Sequence, residues 1–327
     1  MRILITGASG FVGRSLCRAL LKSGKAVYAL TGQAHYRESG VVVWRTLREN
    51  FVDVEHVWPA GAGIDCVVHL AARVHQHHES GLAQASLLDV YRETNVAGTL
   101  RIARAALAAG AKRFIFVSSI KAMGEAEPGT PQRPWTEADT PMPVDAYGIS
   151  KLEAEAALRA YGAEAGLEVV IVRPPLVYGP GVKANFRQLI RLSALGLPLP
   201  LGCIDAPRSM VFVGNLVDAI NVCCTHPAAA NQIFNVADEE DLTVRDLVRR
   251  LADNLGIRSV LLPISPTLLR LAGRLTGRSD QIQRLITPLR LDSRHIRKTL
   301  HWNPPFSVAR GLMDTIADYK LQREANR

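Results

Sequence analysis

Apolar and polar positions in the first half of the chain follow two alternating periods. Short runs rich in Val, Ile and Leu predict strands at 2–6, 26–30, 41–44, 65–70, 113–118 and 168–173. Between them, apolar residues recur at helical spacing and predict helices over 13–23, 87–109 and 146–165. Val- and Ile-rich strands separated by helices imply a parallel sheet covered on both faces. Right-handed crossovers make such a sheet doubly wound.

After Arg173-Pro174-Pro175 the pattern changes. Pro and Gly cluster at 174–181 and 196–202, followed by helices at 186–194 and 215–225, an apolar segment at 210–213 and a strand at 233–236. The remainder is mostly helical. The expected organisation is α/β: a Rossmann-type domain over 1–175 and a smaller substrate lobe over 176–327, with the strand at 233–236 placed to return to the main sheet.

Composition narrows this little. The 327 residues are 48% hydrophobic and 21% charged, the profile of a soluble globular protein. No apolar run reaches the roughly 18 residues that span a bilayer, so no membrane partner is expected. The first residues run straight into a strand and read as structural, which makes the cytoplasm the expected location. Cys17, Cys66, Cys203, Cys223 and Cys224 show no CxxC spacing and read as small buried hydrophobes.

The net charge of +9 gathers late, in Arg270, Arg274, Arg278, Arg284, Arg290, Arg294, Arg297 and Lys298. Interleaved leucines and isoleucines make this first a solvated helix face and second an attraction for an anionic small molecule. Without stacking aromatics, no nucleic-acid partner is expected.

Three motifs carry chemistry. Gly7-x-x-Gly10-x-x-Gly13 follows a strand and opens a helix, the context of a dinucleotide site. Backbone there approaches a pyrophosphate, and the helix N-terminus offers N–H groups and a positive dipole end. The second strand ends at Thr31, where an Asp or Glu would bind the adenosine ribose. Arg37 just beyond either accepts a 2′-phosphate or is an ordinary loop arginine, so the expected cofactor is NAD or NADP. Second, Tyr147 and Lys151 share one helix face, and an ammonium beside a phenol lowers its pKa toward neutrality. Third, Ser119 closes a strand and can hydrogen-bond the substrate oxygen that Tyr147 protonates. His75, His77 and His78 are clustered, but no nearby Cys or paired carboxylate completes a metal site; a polar loop is expected.

Together these residues resemble the extended short-chain dehydrogenase/reductase family, in its NAD-dependent epimerase/dehydratase group acting on nucleotide sugars. The markers are Thr6-Gly7-Ala8-Ser9-Gly10-Phe11-Val12-Gly13, His69-Leu70-Ala71-Ala72, Asn95-Val96-Ala97-Gly98-Thr99, Val117-Ser118-Ser119, Tyr147-Gly148-Ile149-Ser150-Lys151 and the run from Arg173 to Gly181. The resemblance implies that Tyr147 is the acid/base, that Lys151 tunes it and binds the nicotinamide ribose, and that Ser119 orients the sugar O4. It also implies that Ser9, Leu70, Ala71, Ala72, Asn95, Ser118, Arg173 and Pro174 line the cofactor. Lys121, Asn185, Arg208 and Asp292 would contact a UDP-sugar, with Arg208 on the diphosphate and Asp292 near the uridine ribose. Family members commonly dimerise through the helices at 87–109 and 146–165, so a homodimer is expected.

The chain departs from the family pattern at Thr31, at the third strand, which lacks a following Gly-Asp pair, and at Met123-Gly124, where 4-epimerases usually carry Tyr-Gly. The stretch Ser118-Ser119-Ile120-Lys121 resembles a subgroup from bacterial surface-polysaccharide (O-antigen) pathways. Losing the ribose-binding acid weakens an anchor for a retained NAD. The expected reaction is therefore reduction of a UDP-4-keto-6-deoxy-N-acetylhexosamine, with UDP-hexose 4-epimerisation as the alternative. A non-catalytic dinucleotide-binding regulator is a distant third.

Overall fold

A computed structural model of the chain describes residues 1–33, 35–45, 49–58, 61, 63–74, 84–124 and 133–325. Its first part runs β1 (Arg2–Thr6), α1 (Phe11–Lys22), β2 (Ala26–Thr31), β3 (Val41–Arg45), α2 (Val54–Val57), β4 (Cys66–His69), α3 (Gln84–Arg92), α4 (Gly98–Ala108), β5 (Arg113–Val117), α5 (Ala146–Ala165) and β6 (Glu168–Arg173). Then come β7 (Leu176–Tyr178), α6 (Ala184–Ala194), β8 (Pro207–Arg208), β9 (Met210–Phe212), α7 (Val213–Thr225), β10 (Ile233–Asn235), β11 (Leu242–Thr243) and α8 (Val244–Leu255). Helices α9 (Pro266–Leu275), α10 (Ser279–Ile286), α11 (Arg294–Leu300) and α12 (Val308–Ala325) complete it.

Seven strands form one parallel sheet in the order β10-β6-β5-β4-β1-β2-β3. Strand alternation sorts the core into two layers. Ile3, Ile5, Val68, Ile115, Val170 and Val172 pack with α1 and α7 on one face. Leu4, Val67, Phe114, Phe116, Val169 and Ile171 pack with α4 and α5 on the other. Covering both faces makes the strands continuously apolar, which is why they are readable in sequence. The strand expected at 233–236 does return: Ile233 lies beside Ile171 and Asn235 beside Arg173.

The helix expected over 87–109 forms and contains one irregularity. A π turn over Glu93–Ala97 separates α3 from α4. It carries Asn95, buried, whose side-chain oxygen accepts from the Arg73 amide at 2.8 Å and whose amide donates to Ser150 Oγ at 2.9 Å. Helix α5 matches its expected bounds, because Asp145 caps it at 2.7 Å on the Gly148 amide and Gly166 ends it with φ +73°. Cys17, Cys66, Cys223 and Cys224 are buried free thiols, whereas Cys203 is partly exposed. Among the described residues no helix is long and apolar enough to cross a membrane.

Candidate active site

The parallel sheet brings the C-terminal ends of β1, β4 and β5 together, as open α/β sheets do at their ligand crevice. Gly7 takes φ +70°, and a Cβ there would stand 2.8 Å from the Ala71 amide nitrogen. A Cβ on Gly13 would fall 2.7 Å from Ala8 Cα. The glycine turn is thus pressed against Leu70-Ala71. Thr6 ties the two strand ends, its Oγ1 accepting from the Ala71 amide at 3.3 Å and lying 2.7 Å from His69 Nδ1. Burial pulls His69 down to about 3, so it serves here as a neutral linker. Helix α1 starts at Gly10 without a side-chain cap and with no acid in its first turn. Its first N–H groups lack intrahelical partners by construction, so this narrow cradle suits a pyrophosphate.

Thr31 lies where the ribose-binding acid would stand. Its Oγ1 accepts from the Gln33 amide at 3.1 Å and is 3.3 Å from Ser9 Oγ, which joins two expected cofactor residues. Arg37 is exposed and donates to the Tyr36 carbonyl at 3.0 Å. Arg14 had escaped notice. It donates to the Ser9 carbonyl at 3.1 Å and lies 5.4 Å above the Tyr36 ring, which sets a cation at this corner. Its position directly after Gly13 was the available clue.

Tyr147, Ser119 and Lys151 come together between β5 and α5. Ser119 caps the short turn Ile120–Ala122, accepting from the Lys121 amide at 3.2 Å, and shares a hydrogen bond with Tyr147. Lys151 is buried, donates to the Val117 carbonyl at 2.8 Å and sits 4.0 Å over the Phe116 ring. Ser118, next to it, has a buried hydroxyl without a protein partner. This orphan donor, together with the glycine cradle, fits a bound dinucleotide.

The electrostatics differ from the expected pairing. Burial pushes Tyr147 up to about 12, and only the Ser119 hydrogen bond draws it down. Burial pulls Lys151 down to about 7, against the opposing field of Glu155. Desolvation disfavours both charged forms, and the Lys151 ammonium is committed to a backbone carbonyl. In this state Lys151 does not lower the tyrosine.

Other expected contacts are engaged elsewhere. Arg173 is buried and grips Glu155 through Nε at 3.0 Å and also through Nη2, so its side chain is spent on an ion pair. Pro174 contributes its carbonyl to the Ile120 amide at 3.0 Å. Lys121 pairs with Asp145 at 3.1 Å. Asn185 is exposed on the first turn of α6. Arg208 donates to the carbonyls of Arg284 and Thr287 at 2.6 and 2.5 Å. Asp292 lies two residues before α11 and is held by the Arg294 guanidinium at 2.8 Å and its amide at 2.9 Å. It lines a cleft of about 610 Å³ with Glu137, Arg159, His295 and Lys298, at the β10 edge of the sheet. His75, His77 and His78 lie outside the described residues, among which no group of three or more potential metal ligands gathers.

The profile of the NAD dependent epimerase/dehydratase family matches residues 3–237. The chain is 42% identical, over 96% of its length and 94% of the relative's, to UDP-glucose 4-epimerase of Vibrio cholerae. It is 26% identical, over 96% of its length and 94% of the relative's, to the N-acetyl-α-D-glucosaminyl-diphospho-ditrans,octacis-undecaprenol 4-epimerase of Escherichia coli O157:H7. The structure of a UDP-glucose 4-epimerase from Thermotoga maritima superposes with a TM-score of 0.78 at 22% identity, covering 99% of this chain and all of that one. A dinucleotide cradle at the end of β1, a Ser-Tyr-Lys set at the end of β5 and this family match lead to one conclusion: the chain belongs to the NAD-dependent epimerase/dehydratase family.

Proposed function

We propose that the protein is a UDP-hexose 4-epimerase. The observation that carries this reading is 42% identity, across 96% of the chain, to a UDP-glucose 4-epimerase. A second relative, 26% identical over the same share, is also named a 4-epimerase. This reverses the order expected from Thr31, which had favoured a reductase. Thr31 is instead bound to Ser9 at 3.3 Å, so the corner keeps hydroxyl groups for a ribose without the acid.

NAD, when bound, supplies the acceptor and donor of hydride. The residues that would hold it are the Gly7–Gly13 turn, Ser9, Thr31, Leu70 to Ala72, Ser118, Tyr147 and Lys151. Tyr147 Oη takes the proton of the C4 hydroxyl as that carbon is oxidised, and returns it after the sugar has turned its other face. Ser119 holds the same oxygen and the tyrosine in one hydrogen-bonded set. Lys151, one turn further along α5, favours the phenolate when it carries its proton. Lys151 is buried and Tyr147 half-buried, which limits the water that reaches the ketone.

Interconversion of UDP-glucose and UDP-galactose by purified protein, without net change in nicotinamide absorbance, is the expected result. Stoichiometric consumption of NADPH or NADH with a UDP-4-keto-6-deoxy sugar, and no redox-neutral turnover, would transfer the assignment to the reductase.

A further inference from the structure

The late arginines, interleaved with leucines and isoleucines, were expected to form a solvated helix face. Helix α9 departs from this. Only Leu269 and Gly273 are buried on it; Leu269 packs with Leu201, Ile204 and Val248, and Gly273 faces Ile282 of α10. Leu268, Leu271 and Leu275 remain 56, 54 and 80% exposed. At about 100° per residue these three share one face; Arg274 runs along its flank, and Arg270 lies between that flank and the buried side. Arg278 follows directly. Among the described residues none of the three arginines has an ion-pair partner, and α9 itself carries no acid.

The apolar surface continues beyond the helix. Val260 and Leu262, just before α9, are exposed, and Leu199 bonds to both by backbone at 2.9 and 2.8 Å. Exposed Leu197, Leu195 and Leu192 lead away from Leu199 toward α6. Isolated exposed leucines need no explanation, but a face of them bordered by unpaired cations does.

We propose that this face docks the protein on an anionic lipid bilayer. A helix with leucines on one face and arginines beside them lies in the membrane interface, its apolar side among the acyl chains and its cations among the headgroups. Charge complementarity selects this occupant. A second copy would bring the same arginines against each other. The expectation that the chain has no membrane partner then holds for spanning segments only. The proposal is independent of the reaction assigned to the site.

Flotation of the full-length protein with vesicles is the test. It should rise with phosphatidylcholine vesicles containing phosphatidylglycerol, stay down with phosphatidylcholine alone, and be released by salt. Leu271→Glu with Leu275→Glu, and separately Arg270→Gln with Arg274→Gln and Arg278→Gln, should each cut partitioning by about tenfold or more. Leu271, Leu275, Arg274 and Arg278 are exposed and Arg270 is half-buried at the surface, so melting temperature should change little. Equal partitioning to both vesicle types, or unchanged partitioning of both variants, would overturn the proposal. So would loss of a dimer in the leucine variant, seen by sedimentation, without vesicle binding by the parent; the face would then join two copies.

Discussion

Gly148 is pressed against Lys121: a Cβ at position 148 would overlap the Lys121 carbonyl, standing 3.1 Å from its carbon. Asp145 closes the same contact, capping the Gly148 amide at 2.7 Å while pairing with Lys121 Nζ at 3.1 Å. The turn bearing Ser119 and the helix bearing Tyr147 are locked together beside the missing side chain. Gly148→Ala should therefore part Tyr147 from Ser119. Because a misplacement of about 1 Å can cost about a hundredfold, kcat should fall by about 10–100-fold. Steady-state kinetics, with a KM little changed, would check this; full activity would dissolve the link.

Tyr147→Phe removes the proton carrier and leaves the ring, which packs 6.3 Å from Tyr91. Loss of a general acid/base lowers kcat by about 10²–10⁴. Dinucleotide affinity, measured by calorimetry, should persist. Retained turnover would exclude Tyr147 from the chemistry.

Lys151→Met should stabilise the fold while destroying activity. The folded lysine titrates near 7 against an ordinary 10.5. Between those values the unfolded chain binds the extra proton, so the penalty is complete below about pH 7 and fades as pH rises toward the unfolded value. That linkage is worth about 5 kcal/mol, and losing the bond to the Val117 carbonyl returns about 1–3 kcal/mol of it. A net gain of about 2–4 kcal/mol near pH 6, shrinking by about pH 10, is expected in denaturant unfolding. A lysine kept at such cost indicates function over stability.

Glu155 and Arg173 are each about 3% exposed at the side chain. Replacing Arg173 by Met strands a buried carboxylate and should cost about 3–5 kcal/mol. Replacing both by Met should restore most of that, since an apolar pair of similar volume needs no desolvation. Chemical denaturation of the two variants separates these outcomes.

What was legible in the sequence was whatever a single local pattern encodes. Val, Ile and Leu runs marked the strands because both sheet faces are covered, and Gly7, Gly10 and Gly13 marked a turn that admits no Cβ at its first and last glycine. Long-range partners left no such trace. The family resemblance sets Asp292 near a ribose, and its pairing with Arg294, two residues on, is what the sequence did not announce. Nothing local to Glu93–Ala97 announces a π turn, because its cause, Asn95 reaching Arg73 and Ser150, lies in tertiary structure. Tyr147 and Lys151 were placed on one face correctly, but their proton affinities depend on burial, which spacing does not report.

Strand β10 has a consequence for synthesis. It joins the sheet against β6, so β6 emerges from the ribosome with its outer edge unpaired and stays so until residue 235 follows. An apolar strand with a bare edge invites pairing with another nascent chain. Truncation before Ile233 should yield aggregate in place of a smaller working unit, because the sheet gains its last strand only about 60 residues after β6 is complete.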